Sequence, residues 1–202
     1  MRFLAWCLLP MTMAFFVCSC SGSPIPAGTA GSFVTMNPNA SPPFVVSSAT
    51  FKNNHLVPAS MVYNHTGSGC SGGNQSPELS WSGVPKKTKS FAVLTLDTTA
   101  VFWHWGMYNI SPATTTLPEN AGTPKSTYGS EVLNDFAIYY GKSKRGYDGP
   151  CPPPGTPHHY VFTVYALDTM LKLPRSAHVE NLDLAVHGHI LGAASITGLY
   201  KT

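Results

Sequence analysis

Charge is scarce in this sequence: Lys and Arg number 12 and Asp and Glu 9 among 202 residues, about a tenth of the chain where roughly a quarter is usual for a soluble globular domain. A coiled coil or long helical rod needs abundant Glu, Lys and Arg, so neither fits. A disordered polyelectrolyte does not fit either, because the net charge is only +3 while 43% of the residues are hydrophobic and 11% aromatic. The cations form two short clusters, Lys86, Lys87, Lys89 and Lys142, Lys144, Arg145. Lacking a basic helix or stripe, they read as solvated turns and argue against a nucleic-acid partner. Internal repeats are missing, as are P-loop, GxGxxG and HExxH patterns. Gly 18 and Pro 18, without a period, favour a turn-rich β domain.

No apolar run reaches the roughly 20 residues of a bilayer span. The longest, Phe3 to Val17 behind Arg2, has the length of a signal-peptide core, which gives residues 1–19 as a signal peptide. It ends Val17-Cys18-Ser19-Cys20, which resembles a bacterial lipobox and implies a lipidated Cys20 as the new N-terminus. An ordinary secretory signal or an uncleaved anchor is the alternative. Residues 20–43 follow as a tether rich in Ser, Gly and Pro, with a reach of roughly 26 Å for a flexible chain of this length. The expected domain is residues 44–202, lipid-anchored to a membrane of the bacterial envelope and facing the periplasm.

Cysteine is scarce too. Of five, only Cys70 and Cys151 remain in the domain, a candidate disulfide for an exported protein; two separate buried thiols are the other reading.

What the domain has is short apolar segments between turn residues: Phe44 to Phe51, Phe91 to Leu96, Trp105 to Ile110 and Tyr160 to Leu167. The last three are continuously apolar or β-branched, as in strands covered on both faces. Glu131 to Tyr139 is ambiguous between strand and turn. Leu182 to Leu191 is the one clear helix by spacing, with Gly192 as its stop and Ser195 to Leu199 as a final strand. Gly69-Cys70-Ser71-Gly72-Gly73 matches G-x-S-x-G. A nucleophile elbow needs a helix after it, and Asn74-Gln75-Ser76-Pro77 is a turn sequence. No nucleophile has a supporting triad, and the chain is not expected to be an enzyme.

Eight histidines are many for so few other ionisable groups. His187 and His189 lie two apart and do not face each other on a helix; His55, His65 and His178 read as surface residues. His104, between Trp103 and Trp105, His158-His159 before Tyr160, and Asp97 all stand at strand ends. Such a set suits an anion pocket, a two-His-one-carboxylate metal site or satisfied core histidines.

Several segments in order resemble the phosphatidylethanolamine-binding protein family, in its bacterial Raf kinase inhibitor-like branch. They are Ser76-Pro77-Glu78-Leu79-Ser80-Trp81 through Pro85, Lys89-Ser90-Phe91-Ala92, Trp103-His104-Trp105, Asn134-Asp135-Phe136, Tyr147-Asp148-Gly149-Pro150-Cys151-Pro152-Pro153, and His158 through Asp168. The resemblance implies a mainly β, sandwich fold with a few short peripheral helices and one C-terminal helix. It implies a small pocket for an anionic or phosphorylated ligand, lined by Asp97, His104, Gly149, Pro150, Cys151, Pro152, His158 and Tyr160, with no metal and no cofactor. Non-catalytic binding is the expected function, with inhibition of, or interaction with, a protein partner as the alternative. Two departures stand out. Thr99 replaces the second aspartate of the family's turn, and His159 stands where arginine is usual. The expectation is that they occupy one former ion pair and that losing both avoids an unpaired buried charge.

Overall fold

The computed structural model describes residues 42–64, 69–140 and 145–202. The signal peptide, Cys20 and the tether up to residue 41 lie outside the described residues, as do His65, Lys142 and Lys144. The elements are β1 (Val45–Ser47), β2 (His55–Leu56), a 3-10 turn (Ala59–Met61), β3 (Leu79–Ser82), β4 (Ser90–Asp97), β5 (Phe102–Ile110), β6 (Thr116–Leu117), β7 (Ser130–Glu131), α1 (Asp135–Tyr139), β8 (His158–Leu167), α2 (Val179–Val186) and β9 (Ile190–Tyr200). Among the described residues no helix is long and apolar enough to cross a membrane.

Two open sheets face each other. One has the order β1-β3-β6, the other β2-β9-β8-β4-β5-β7. Between them lies a core of Leu79, Trp81, Phe91, Val93, Trp105, Met107, Leu117, Tyr160, Phe162 and Val164. The far face of the larger sheet, through Ala92, Leu94 and Leu167, packs on Val179, Leu182 and Val186 of α2. This explains why β4 is apolar from Phe91 to Leu94 and buried almost throughout: both its faces are roofed, one by the second sheet and one by the helix. Each fully buried Leu, Val or Phe contributes roughly 1.5–3 kcal/mol.

β8 departs from the expectation of two covered faces. Its even-numbered residues are buried from Tyr160 to Ala166, while Val161, Thr163 and Tyr165 are half-exposed, because α2 packs chiefly on β4 and β5 and meets β8 only near its end, at Tyr165 and Leu167.

The helix and its successor also differ from the expected bounds. α2 begins at Val179, where the His178 backbone N–H donates to Asn181 Oδ1 at 2.9 Å, and it stops at Val186. His187 is already extended and Gly188 takes φ +89°, a left-handed conformation that glycine adopts without steric cost. His189 and Ile190 therefore leave the helix, and the last strand starts five residues earlier than Ser195. The segment Phe44 to Phe51 contributes only Val45–Ser47. Glu131 to Tyr139 is neither a strand nor a simple turn: Glu131 ends a short edge strand and Asp135–Tyr139 is a helical turn.

Candidate functional site

Three neighbouring strands bring their ends to one place. Asp97 closes β4, Phe102–His104 opens β5 and His158–Tyr160 opens β8. The antiparallel register sets Asp97 opposite Tyr160 on one side and Phe102 on the other. Thr95 pairs with Trp105 but Leu96 pairs with Trp103, so His104 is the extra residue of a β-bulge. In a regular strand Trp103 and Trp105 would share a face. Here Trp105 fills the core between the sheets while Trp103 packs on the α2 side. The bulge re-aims the chain at the point where a polar side chain is needed.

A cavity of about 160 Å³ opens at these strand ends, lined by Asp97, Ala100, Phe102, His104, Phe136, Tyr140, Cys151, Pro152, Pro153, His158 and Tyr160. At its mouth His158 Nδ1 donates to Asp97 Oδ2 at 2.6 Å. The other carboxylate oxygen accepts the backbone N–H groups of Thr99 (2.9 Å) and Ala100 (3.2 Å). Asp97 is thus the hinge pin of its own turn and orients His158. At the floor His104 Nδ1 lies 2.7 Å from the Asp148 carbonyl oxygen. A carbonyl only accepts, so Nδ1 carries the hydrogen and Nε2 is the nitrogen left for a ligand. Burial lowers the His104 pKa below its ordinary 6.5, against the hydrogen bond to the Asp148 carbonyl and the charge of Asp97, which raise it. Burial, then the adjacent Asp97, pushes the Tyr160 hydroxyl up, so it stays a protonated donor. The walls are aromatic: the His104 ring meets Tyr160 edge-on at 5.1 Å and Phe136 at 5.5 Å.

A second layer holds the floor. The buried Asp148 carboxylate accepts from Asn74 Nδ2 (3.0 Å) and Asn134 Nδ2 (2.9 Å), and its backbone N–H donates to the His104 carbonyl at 3.1 Å. Asn134 Nδ2 also reaches the carbonyls of His104 (3.3 Å) and Gly146 (3.0 Å). These three polar residues fix the bulged His104 and were not among the expected site residues. The signal available in the sequence was that Asn134 and Asp148 fall in two of the family-like segments.

Asp97, His104, Cys151, Pro152, His158 and Tyr160 are brought together at the cavity; Gly149 and Pro150 are not among its lining residues. They hold the loop behind it. Gly149 donates its N–H to Asn74 Oδ1 at 2.8 Å, and a Cβ there would stand 1.9 Å from the Met61 carbonyl oxygen. Pro150 O accepts the Tyr63 N–H at 3.0 Å. Cys70 and Cys151 are joined by a disulfide, Cα–Cα 5.9 Å, which puts the crosslink at the rim. Phe102, Phe136 and Tyr140 complete the lining without having been anticipated.

Thr99 and His159 lie side by side, with Thr99 Oγ1 3.4 Å from His159 Nδ1 and accepting the His159 backbone N–H at 3.1 Å. Ser71 is exposed in a loop with no helix after it, so the elbow geometry is missing. His55 is exposed and His178 half-buried. His189 leaves the helix to meet Asp168 Oδ1 at 2.9 Å. Among the described residues no three His, Cys, Asp or Glu side chains gather closely enough to hold a metal ion.

Two open sheets with one His–Asp cavity at the ends of three adjacent strands define a β-sandwich with an end-on pocket. A family model described as phosphatidylethanolamine-binding protein matches residues 23–201. The UPF0098 protein YbcL of Escherichia coli is 39% identical over 183 residues, covering 84% of this chain and 93% of its own length. A UPF0098 protein of Methanothermobacter thermautotrophicus is 42% identical over 135 residues, 65% of this chain and 86% of that one. The crystal structure of YbcL, described as a new member of the mammalian PEBP family, matches with a TM-score of 0.69 at 36% identity, covering 79% of this chain and 98% of that chain. The chain belongs to the phosphatidylethanolamine-binding protein family.

Proposed function

We propose that this chain is a non-catalytic binding protein of the Raf kinase inhibitor-like branch that takes a small anionic or phosphate-bearing group into the Asp97/His104/His158 cavity. It acts from a membrane of the bacterial envelope on the periplasmic side, held by lipidated Cys20 and the tether of residues 20–43. The observation that carries the reading is the pairing of His158 with Asp97 at 2.6 Å across a cavity from the buried His104. The Tyr160 hydroxyl offers a donor of the kind a phosphoryl group needs, and each imidazole presents its Nε2, an acceptor for a protonated phosphate oxygen in the neutral ring and a donor in the protonated one. The lining hydroxyls are those of Tyr160 and Tyr140, and burial keeps Tyr160 protonated, which supports a place for an anion over an activated nucleophile. Proline at the rim holds the shape at little entropic cost on binding.

Titration with inorganic phosphate and with phosphoethanolamine, followed on the imidazole signals by NMR, tests the pocket. Saturable shifts at His104 and His158, abolished in His158→Gln, are expected; shifts confined to exposed residues would overturn it. Mass spectrometry of the N-terminal peptide from membranes tests the anchor, which fails if the peptide does not begin at a lipidated Cys20.

A protein partner is the second reading, favoured by the exposed Val101, Ile138, Tyr139 and Tyr140 around the same end of the molecule. Retention of a stoichiometric envelope partner by a His104→Ala, His158→Ala double variant would support it over the first.

A further inference from the structure

Outside the cavity at the strand ends, two adjoining hollows of about 500 and 400 Å³ share Arg145 and Arg175. They have no lining residue in common with the Asp97/His158 cavity. Neither arginine has a carboxylate partner among the described residues. Arg145 Nη1 donates to the backbone carbonyl of Glu131 at 3.0 Å, and Arg175 is exposed and makes no side-chain hydrogen bond or ion pair among the described residues. The one acidic residue in the lining, Glu131, turns its carboxyl away: both oxygens accept from the buried Trp105 Nε1, at 3.0 and 3.2 Å. Burial pushes that carboxyl well above its ordinary range, opposed by the Trp105 hydrogen bond and by Arg145, so little negative charge answers the two guanidinium groups.

The arginines are held by one piece of backbone. Leu133 bridges Arg145 on one side and His178 on the other. Its N–H donates to Ala177 O at 3.0 Å, and its carbonyl accepts the Val179 N–H at 2.9 Å. The Ala177 N–H in turn closes onto Pro174 O at 3.0 Å, fixing the turn that carries Arg175. Ser126, Ser130 and Ser176 add hydroxyls, and Tyr108 and Leu173 an apolar wall. Planar five-donor forks match the paired oxygens of carboxylate and phosphate groups, two arginines suit a ligand with more than one such group, and each charge-assisted bond is about twice as strong as a neutral one.

We infer that the Arg145/Arg175 groove is a second anion site, which takes a compact polyanion bearing phosphate or carboxylate groups independently of the strand-end cavity. Occupancy is legible at Trp105, because the Glu131 residue that Arg145 holds by its carbonyl also accepts the indole N–H.

The test is site-resolved NMR of the full-length protein, titrated with inorganic pyrophosphate in one arm and citrate in the other, at constant ionic strength. Saturable movement of the Trp105 indole N–H and the arginine Nε–H signals in either arm supports the site, and the arm with the higher affinity separates phosphorylated from polycarboxylate ligands. Arg175→Gln, a substitution on an exposed turn, is expected to weaken groove binding about tenfold, the worth of one charge-assisted hydrogen bond. His158→Gln should leave groove affinity within twofold. The inference is overturned if both anions move only the His104 and His158 signals, if chloride at the same ionic strength moves the groove signals equally, or if Arg175→Gln leaves the affinity unchanged.

Discussion

Reducing the Cys70–Cys151 bond removes a crosslink spanning 81 positions, and loop-closure entropy for a loop of that size is worth about 4.5 kcal/mol at 25 °C. The native geometry near the bond has other supports. Tyr63 N–H to Pro150 O, Gly149 N–H to Asn74 Oδ1 and Gly72 N–H to Tyr63 O all lie between 2.8 and 3.0 Å and do not depend on the sulfurs. The folded state should therefore keep its shape, and the loss should come from a freer unfolded chain. The expected result for a Cys70→Ser, Cys151→Ser variant in urea is a stability lower by about 4 kcal/mol, with a steeper denaturant dependence because the uncrosslinked chain exposes more surface. In a thermal scan the midpoint falls by roughly 10–15 °C for a domain of this size. A loss below about 1 kcal/mol, or an unchanged denaturant slope, would refute the reasoning and place the effect of the bond in the native state instead.

Two buried ionisable groups should tilt stability with pH in opposite directions. His104 is held below its ordinary 6.5, so the unfolded chain binds more protons and stability drops as pH falls below about 6.5, by up to about 1.4 kcal/mol per unit until the folded value is passed. Glu131 is held above 4.5, so its contribution is present below about pH 4.5 and lost as pH rises through the folded value; Glu131→Gln should remove that decline and leave the His104 slope exposed, and unchanged curves in denaturant melts across pH would count against both assignments. Gly149→Ala should cost more than about 3 kcal/mol, since its Cβ meets backbone at 1.9 Å, whereas Gly69→Ala, with nothing within 4 Å but φ +80°, should cost about 1 kcal/mol; equal losses in calorimetry would show that the Met61 contact yields. Asp97→Asn should lower phosphate affinity about tenfold by weakening the charge-assisted bond that aims His158, and calorimetric titration giving an unchanged affinity would remove Asp97 from the site.

The central strands were legible because their apolar runs are continuous, which happens when both faces are covered. Phe91 to Leu96 and Trp105 to Ile110 needed no context beyond themselves. The end of α2 was misplaced because Val186, His189 and Ile190 keep helical spacing after the backbone has turned at Gly188, and periodicity cannot register one left-handed residue. The site divides in the same way. Asp97, His104 and His158 stood out as polar residues at strand ends. Asn74 and Asn134 did not, because amides that reach Asp148 from 74 and 14 positions away leave no local pattern. Gly149 and Pro150 enter the expected set by their place in a motif, and in the structure they seat the loop against Met61 and Tyr63.

The bulge at His104 makes the pocket's chemistry and the sheet's order separable by one kind of change and inseparable by another. Replacing the imidazole alters what the cavity offers a ligand while β5 keeps its count of residues. Deleting the position sets Trp103 and Trp105 side by side, and adjacent residues of a regular ladder face opposite ways, so both indoles would keep their separate cores; absorbing the bulge with every residue retained would instead bring them onto one face. Diversification of this site by point substitution is therefore open, whereas a strand that absorbs the bulge into its ladder has to rebuild the hydrophobic interior on both sides of the sheet to remain folded.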